Sequence, residues 1–110
     1  MRVLLDHCVD IRFQRLLTGH EVELAKKLGF EKLSNGELLD AAESAGFEVV
    51  VTVDKNIRFQ QNINKRRIAL ITLNPALVDL EYIEPLAPRL VELLDEGVEP
   101  GTETVIGPWI

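Results

Sequence analysis

Hydrophobic positions along the 110-residue chain change period several times. Val3-Leu4-Leu5 is a short apolar run that ends at Asp6. Val9, Phe13, Leu16 and Leu17 then recur at i, i+4, i+7 and i+8, which predicts an amphipathic helix. Gly19 closes that stretch, and His20-Glu21-Val22-Glu23-Leu24 alternates as a half-exposed strand does. Residues 29–33 read as loop. Ser34 and Glu37 then form a capping box ahead of a helix whose apolar face is Leu38, Ala41, Ala42 and Ala45, and Gly46 stops it.

Val49-Val50-Val51-Thr52-Val53 is β-branched throughout, the mark of a strand buried on both faces, and it too ends at an acid, Asp54. A polar segment expected to be helical runs on to about Lys65. Ile68 to Leu73 reads as a second buried strand, closed by Asn74-Pro75. Leu86, Leu90, Leu93 and Leu94 define a last helix, with Pro85 near its first turn and Gly97 just past its end. Thr104-Val105-Ile106 adds an edge strand. Strands alternating with helices predict a single three-layer α/β domain over residues 1–110, with a mostly parallel central sheet of four to five strands and helices on both faces. Right-handed crossovers favour the strand order 2-1-3-4. The functional crevice of such a sheet lies beyond the carboxyl ends of the strands, where the winding changes direction, and Asp6 and Asp54 stand there.

Composition adds bounds. One domain fits a chain of this length at about 100–200 residues per domain. No apolar run reaches the ~18 residues of a membrane span. Arg2 precedes only three apolar residues before Asp6, too few for a signal peptide, so the expected address is the cytoplasm. Cys8 is the one cysteine, which excludes an internal disulfide and a Cys-rich zinc site. Net charge is −6, against non-specific coating of nucleic acid, but the charge is unevenly spread. Lys55, Arg58, Lys65, Arg66 and Arg67 lie in a stretch without acids, whereas Arg89 alone stands against eight acids from Asp79 onward. Such a strip can face phosphates or be a solvated helix-and-turn face.

Two carboxylates on neighbouring strand ends about 4.8 Å apart repel each other unless a proton or cation neutralises them. A hard divalent cation such as Mg²⁺ is the usual solution. Asp is also a favoured N-cap, so each residue alone has a structural reading. Glu37 reads equally as capping-box partner and as a metal ligand. His7-Cys8 makes a poor metal pair and reads as turn, and His20 has no nearby acid–base partner in the sequence and reads as structural. No Gly-rich phosphate loop is present. Trp109, Tyr82 and the four Phe form no ladder for stacking bases.

Four stretches carry a resemblance: Met1-Arg2-Val3-Leu4-Leu5-Asp6, Gly19-His20-Glu21-Val22, Leu33-Ser34 with Glu37-Leu38-Leu39, and Val51-Thr52-Val53-Asp54-Lys55. In order and spacing the chain resembles the small PIN-like proteins, compact relatives of the PIN-domain ribonucleases, over residues 1–74. The resemblance implies a metal-dependent ribonuclease, often the toxin of a toxin–antitoxin pair. It makes Asp6 and Asp54 the ligands of Mg²⁺ or Mn²⁺, adds Glu37 to the catalytic set, and puts Thr52, Asn35 and Asn56 beside them to orient ligands or water. Lys55, Arg58, Lys65, Arg66 and Arg67 would then hold the RNA backbone, and single-stranded or looped RNA is the substrate expected. A small antitoxin protein and a second copy of the chain, as a homodimer, are the protein partners compatible with it. The family carries acids where this chain has His7, Asn35 and Asn56. That departure supports an alternative, a degenerate module that binds RNA or a protein without cutting. A phosphoacceptor signalling domain is a third reading, but it would want a second acid beside Asp6 and a lysine after the fifth strand, and the chain has neither.

Overall fold

In a computed structural model, which describes residues 1–107 apart from the side chains of Phe59 and Gln60, the apolar runs become the strands of one sheet. β1 (Arg2–Leu5), β2 (Glu21–Leu24), β3 (Val49–Thr52), β4 (Ala69–Leu73) and β5 (Glu103–Ile106) pair in the order β2-β1-β3-β4-β5, all of them parallel. The expected order and edge strand are both present. β3 and β4 are buried at every position, as strands between two helical layers must be. The outer strands β2 and β5 expose Glu21, Glu23 and Glu103, charges that oppose the addition of another strand. Trp109 lies outside the described residues.

Successive strand residues point to opposite faces and so feed two cores. Val3, Leu5, Val49, Val51, Ile71 and Leu73 face one side, and Leu4, Val50 and Leu70 face the other. The first side is covered by a 3₁₀ turn (Ile11–Leu16), by α3 (Leu80–Ile83) and by α4 (Ala87–Glu96), through Phe13, Leu17, Ile83, Leu90 and Leu94. The second is covered by α1 (Asn35–Ser44) and by the segment that holds α2 (Ile57–Gln60) and the 3₁₀ turn Ile63–Lys65, through Leu38, Leu39, Ala42, Ile57 and Ile63. No helix among the described residues is long and apolar enough to cross a membrane.

This layering fixes the relative hand of the crossovers. From β1 to β2 the chain steps one way along the sheet over the first face. From β2 to β3, and from β3 to β4, it steps the opposite way over the second face, which preserves the hand. From β4 to β5 it keeps that direction but returns over the first face. The last crossover is therefore of opposite hand to the other three, a rare arrangement for parallel strands.

Three stretches differ in form from their periodicity. The helix expected over Val9–Leu17 is the shorter 3₁₀ turn; Phe13 within it and Val9 and Leu17 on either side are buried, while Leu16 is exposed. Six residues of 3₁₀ helix rise about 12 Å, close to the ~13 Å of a four-residue strand, whereas six of α-helix would fall short. The helix expected from Asp54 to Lys65 is broken at Gln61, which is extended. Ile57 and Ile63 both enter one core, and residues six apart lie on different sides of a continuous helix. Pro85 belongs to a 3₁₀ turn (Glu84–Leu86), and α4 begins at Ala87 with Pro88 in its first turn.

The 3₁₀ turn Ile11–Leu16 is capped by Asp10, whose Oδ1 accepts from the Arg12 backbone N–H at 3.0 Å. Arg12 also donates from Nε (3.0 Å) and Nη2 (2.7 Å) to the two carboxylate oxygens. These bonds from Arg12 hold the Asp10 carboxyl down at about 2. A folded value below the unfolded one contributes stability that is present above about pH 4 and is lost as pH falls through about 2. Asp10→Asn is accordingly expected to melt below the parent at neutral pH, with the gap closing in acid and narrowing in high salt. Thermal melts across pH check this, and a gap indifferent to pH would remove the carboxylate from the explanation.

Candidate functional site

Parallel strands bring all their carboxyl ends to one edge, and β1 and β3 meet there at the point where the chain reverses direction along the sheet. The pairing continues past β1, with the Asp6 N–H donating to the Val51 carbonyl at 2.9 Å. Asp54 follows β3 by two residues. Thr52 joins the two acids: its Oγ1 donates to Asp6 Oδ2 at 2.8 Å and accepts from the Asp54 N–H at 2.9 Å. Asp54 Oδ1 in turn accepts the Asn56 N–H at 2.9 Å, a turn that starts α2. Asp54 is half-buried, whereas Asp6 is only 3% exposed.

Burial demands partners for Asp6, and the next two residues supply them. Oδ1 accepts from the His7 backbone N–H (2.8 Å) and lies 3.1 Å from His7 Nδ1. Oδ2 accepts from Thr52 and, at 3.4 Å, from the Cys8 thiol. A carboxylate has about four lone-pair positions, and four neighbours stand at these. Burial, followed by the nearby Asp6 charge, pushes the Cys8 thiol up, so Cys8 stays protonated and remains a donor. His7 and Cys8 thus serve the buried acid, a role that sequence reasoning missed. The signal was present in the position of Asp6-His7-Cys8 at a buried strand end.

The donor chemistry at this edge fits a hard divalent cation, which prefers carboxylate oxygens. Two of the four groups on Asp6 are fixed, the His7 N–H and the Thr52 hydroxyl. The other two are a half-exposed imidazole and a weak S–H donor, both able to turn aside. Glu37 is engaged elsewhere: Oε1 accepts the Ser34 N–H at 2.9 Å and Ser34 Oγ accepts the Glu37 N–H at 3.3 Å, and hydrogen bonds from Ser34, its backbone N–H first and its side chain second, hold the Glu37 carboxyl below the usual range. Asn35 is the first residue of α1 at the same edge, and Asn56 is exposed. Among the described residues no group of three or more His, Cys, Asp or Glu side chains is arranged to hold a metal ion.

The basic strip divides in two. Lys55, Lys65 and Arg67 are exposed. Arg66 is mostly buried and lies 2.7 Å from Asp40 and 3.8 Å from Glu43, so it clamps its segment to α1. Arg58 stands 3.9 Å from Glu103. His20 lies at the opposite edge and does have an acidic partner: Nε2 is 2.8 Å from Asp95 of α4, and Nδ1 is 2.9 Å from the Met1 amine. The absence of a partner in the sequence reading reflected their 75-residue separation.

Fold and site together define a single three-layer α/β domain with an aspartate pair at its switch point. No family model, no curated protein and no solved structure matches the chain.

Three substitutions test the roles assigned here. Thr52→Val keeps the shape but leaves a buried carboxylate oxygen with only the weak Cys8 donor and orphans the Asp54 N–H, and is expected to lower unfolding free energy by about 1–3 kcal/mol in urea titrations. Glu37→Gln retains the cap, because Gln also completes a capping box. It should leave both melting temperature and Mn²⁺ affinity near the parent's, whereas a Glu37 that binds metal would lose affinity without losing stability. Ser34→Ala, by contrast, should cost about 1 kcal/mol.

Proposed function

We propose that the protein is a PIN-like, metal-dependent ribonuclease acting on single-stranded or looped RNA. The observation that carries this reading is the pair Asp6 and Asp54, joined through Thr52 at the switch point and followed at once by exposed Lys55. Mg²⁺ or Mn²⁺, when bound, supplies an activated water and offsets charge on the scissile phosphodiester. Asp6 and Asp54 hold it. Thr52 orients Asp6, and the Asn56 N–H orients Asp54. Lys55, Lys65 and Arg67 attract the RNA backbone independently of sequence and more weakly as salt rises. A small antitoxin protein that covers this edge is the partner such a toxin requires.

Two observations favour a second reading, RNA binding without cleavage. The Asp6 oxygens are already met by four neighbours, and His7, Asn35 and Asn56 replace acids of the PIN-like family.

Mn²⁺ titration combined with cleavage of a labelled single-stranded RNA separates the two. The parent is expected to bind Mn²⁺ in the micromolar-to-millimolar range and to cut. Asp54→Asn should weaken the metal at least about tenfold, since affinity follows ligand charge, and should stop cleavage. Cys8→Ala removes one of the two donors on Asp6 Oδ2, leaving Thr52, and should tighten the metal. RNA that is bound but uncut at saturating Mn²⁺, with binding unchanged in Asp54→Asn, establishes the second reading instead.

A further inference from the structure

The reversed last crossover leaves one part of the sheet uncovered. Glu103 pairs with Leu70 in register and shares its face, the side of α1 and α2. The helices that lead into β5 pack on the other side, so among the described residues none returns over β5 here. An uncovered sheet face would be expected to be plainly solvated or apolar. It is a walled notch of about 270 Å³. Arg58, Gln61, Asn62 and Asn64 line one wall, and Gly101 and Glu103 the other, with buried Ile63 between.

The walls are held in place. Gly101 takes φ +77°, and a Cβ on it would lie 3.2 Å from the carbonyl oxygens of both Asn64 and Arg66, so only glycine lets the two walls approach this closely. Its N–H donates to the Ile68 carbonyl at 3.0 Å. The Gln61 amide oxygen accepts from Arg66, which is itself anchored on Asp40 and Glu43.

Chemistry narrows the occupant. Glu103 faces Arg58 at 3.9 Å and cancels its charge, which makes the notch poor for phosphate. Asn62 and Asn64 each bring a carboxamide with both donors and an acceptor, while the Gln61 amide is held by Arg66 and backs the wall. A mixed, near-neutral set of this kind matches the edge of a nucleobase, where amino, keto and ring-nitrogen groups stand in fixed order. Single-stranded RNA offers such edges because its bases can be unstacked and read individually, and a guanidinium plane adds a stacking surface. The notch lies toward the amino ends of β4 and β5, where Asn64, Gly101 and Glu103 stand, and the segment from Asp54 to Asn64 runs across the second face from the aspartate pair to it. α2, about 6 Å long at 1.5 Å per residue, is the regular structure between Asp54 and Gln61.

We propose that the notch between the Arg58–Asn64 segment and the start of β5 is a nucleobase-binding site. It deepens the RNA reading and rests on it for the source of the base. Phosphates would then follow the exposed lysines while one base turns into the notch, and the site would give the protein a base preference that the basic strip cannot.

Side-chain amide signals of Gln61, Asn62 and Asn64 in ¹⁵N-labelled protein read this site directly. AMP, CMP, GMP and UMP are titrated in parallel with ribose 5-phosphate, which lacks a base. At least one nucleotide is expected to shift these signals while ribose 5-phosphate does not. Asn62→Ala and Asn64→Ala, both at exposed positions, should weaken that nucleotide about tenfold, the discrimination of one good base contact, with melting temperature and Mn²⁺ affinity unchanged. Glu103→Gln should alter which base is preferred. Equal shifts from ribose 5-phosphate, or no shift from any nucleotide, overturn the proposal. RNA cleavage on the same sample separates the two readings: cleavage with silent amides removes the notch and leaves the ribonuclease, while base-dependent shifts without cleavage leave the notch and remove the ribonuclease.

Discussion

The central strands must be covered on both faces, and most of the molecule follows from that. β3 has no exposed residue, and it lies between β1 and β4, which are nearly as buried. Each fully buried Val, Leu or Ile contributes about 1.5–3 kcal/mol, whereas a surface ion pair such as Arg89–Glu92 contributes 0 to about 1 kcal/mol. Packing therefore decides where each connecting segment goes, and charge pairs adjust the result. Where the connections run out of faces to cover, at β5, the sheet opens and polar side chains take over.

Among the described residues Asp6 is the one charged side chain buried inside this apolar frame. An ionised carboxylate out of water costs several kcal/mol unless it is well bonded, and hydrogen bonds to a charged group return about 1.5–3 kcal/mol each. Its four neighbours make the burial tolerable. They also compete with any cation for the same oxygens. The affinity of such a site is thus a difference between two large terms, and a thiol or an imidazole beside the acid can set it. Cys8, with its raised pKa, stays bonded as a neutral donor across the ordinary pH range.

The sequence made the sheet legible because its information is local. Val49 to Val53 and Ile68 to Leu73 announce buried strands by composition, and the Ser34–Glu37 capping box marks the start of α1 within four residues. Asp6 and Asp54 were legible as strand-end acids for the same reason. The bonds that define the site were not. Thr52 reaches Asp6 across 46 positions, Arg66 reaches Asp40 across 26, and His20 meets Asp95 across 75. Such partners depend on register and on which face a crossover takes, and neither is written in local periodicity. The two short helical pieces after Asp54 were misread as one because core spacing, here Ile57 and Ile63, overrode helical propensity.

A wholly parallel sheet has no hairpins, and this has a consequence for how the chain reaches its fold. Arg2 pairs with Glu21, Val49 with Ala69 and Leu70 with Glu103, while the central pair joins Val3 to Val49. No strand finds its neighbour within one turn of chain, so loop-closure entropy is spent before any ladder forms, and folding belongs to the slow part of the range for its size. Meanwhile the runs Val49–Val53 and Ile68–Leu73 stay unpaired, and such β-prone, uncharged segments are the ones that associate between chains. Asp54 closes the first run and Arg66-Arg67 precede the second, so charges flank both. Placed there, the same residues that mark the candidate site and the basic strip also act as gatekeepers during folding.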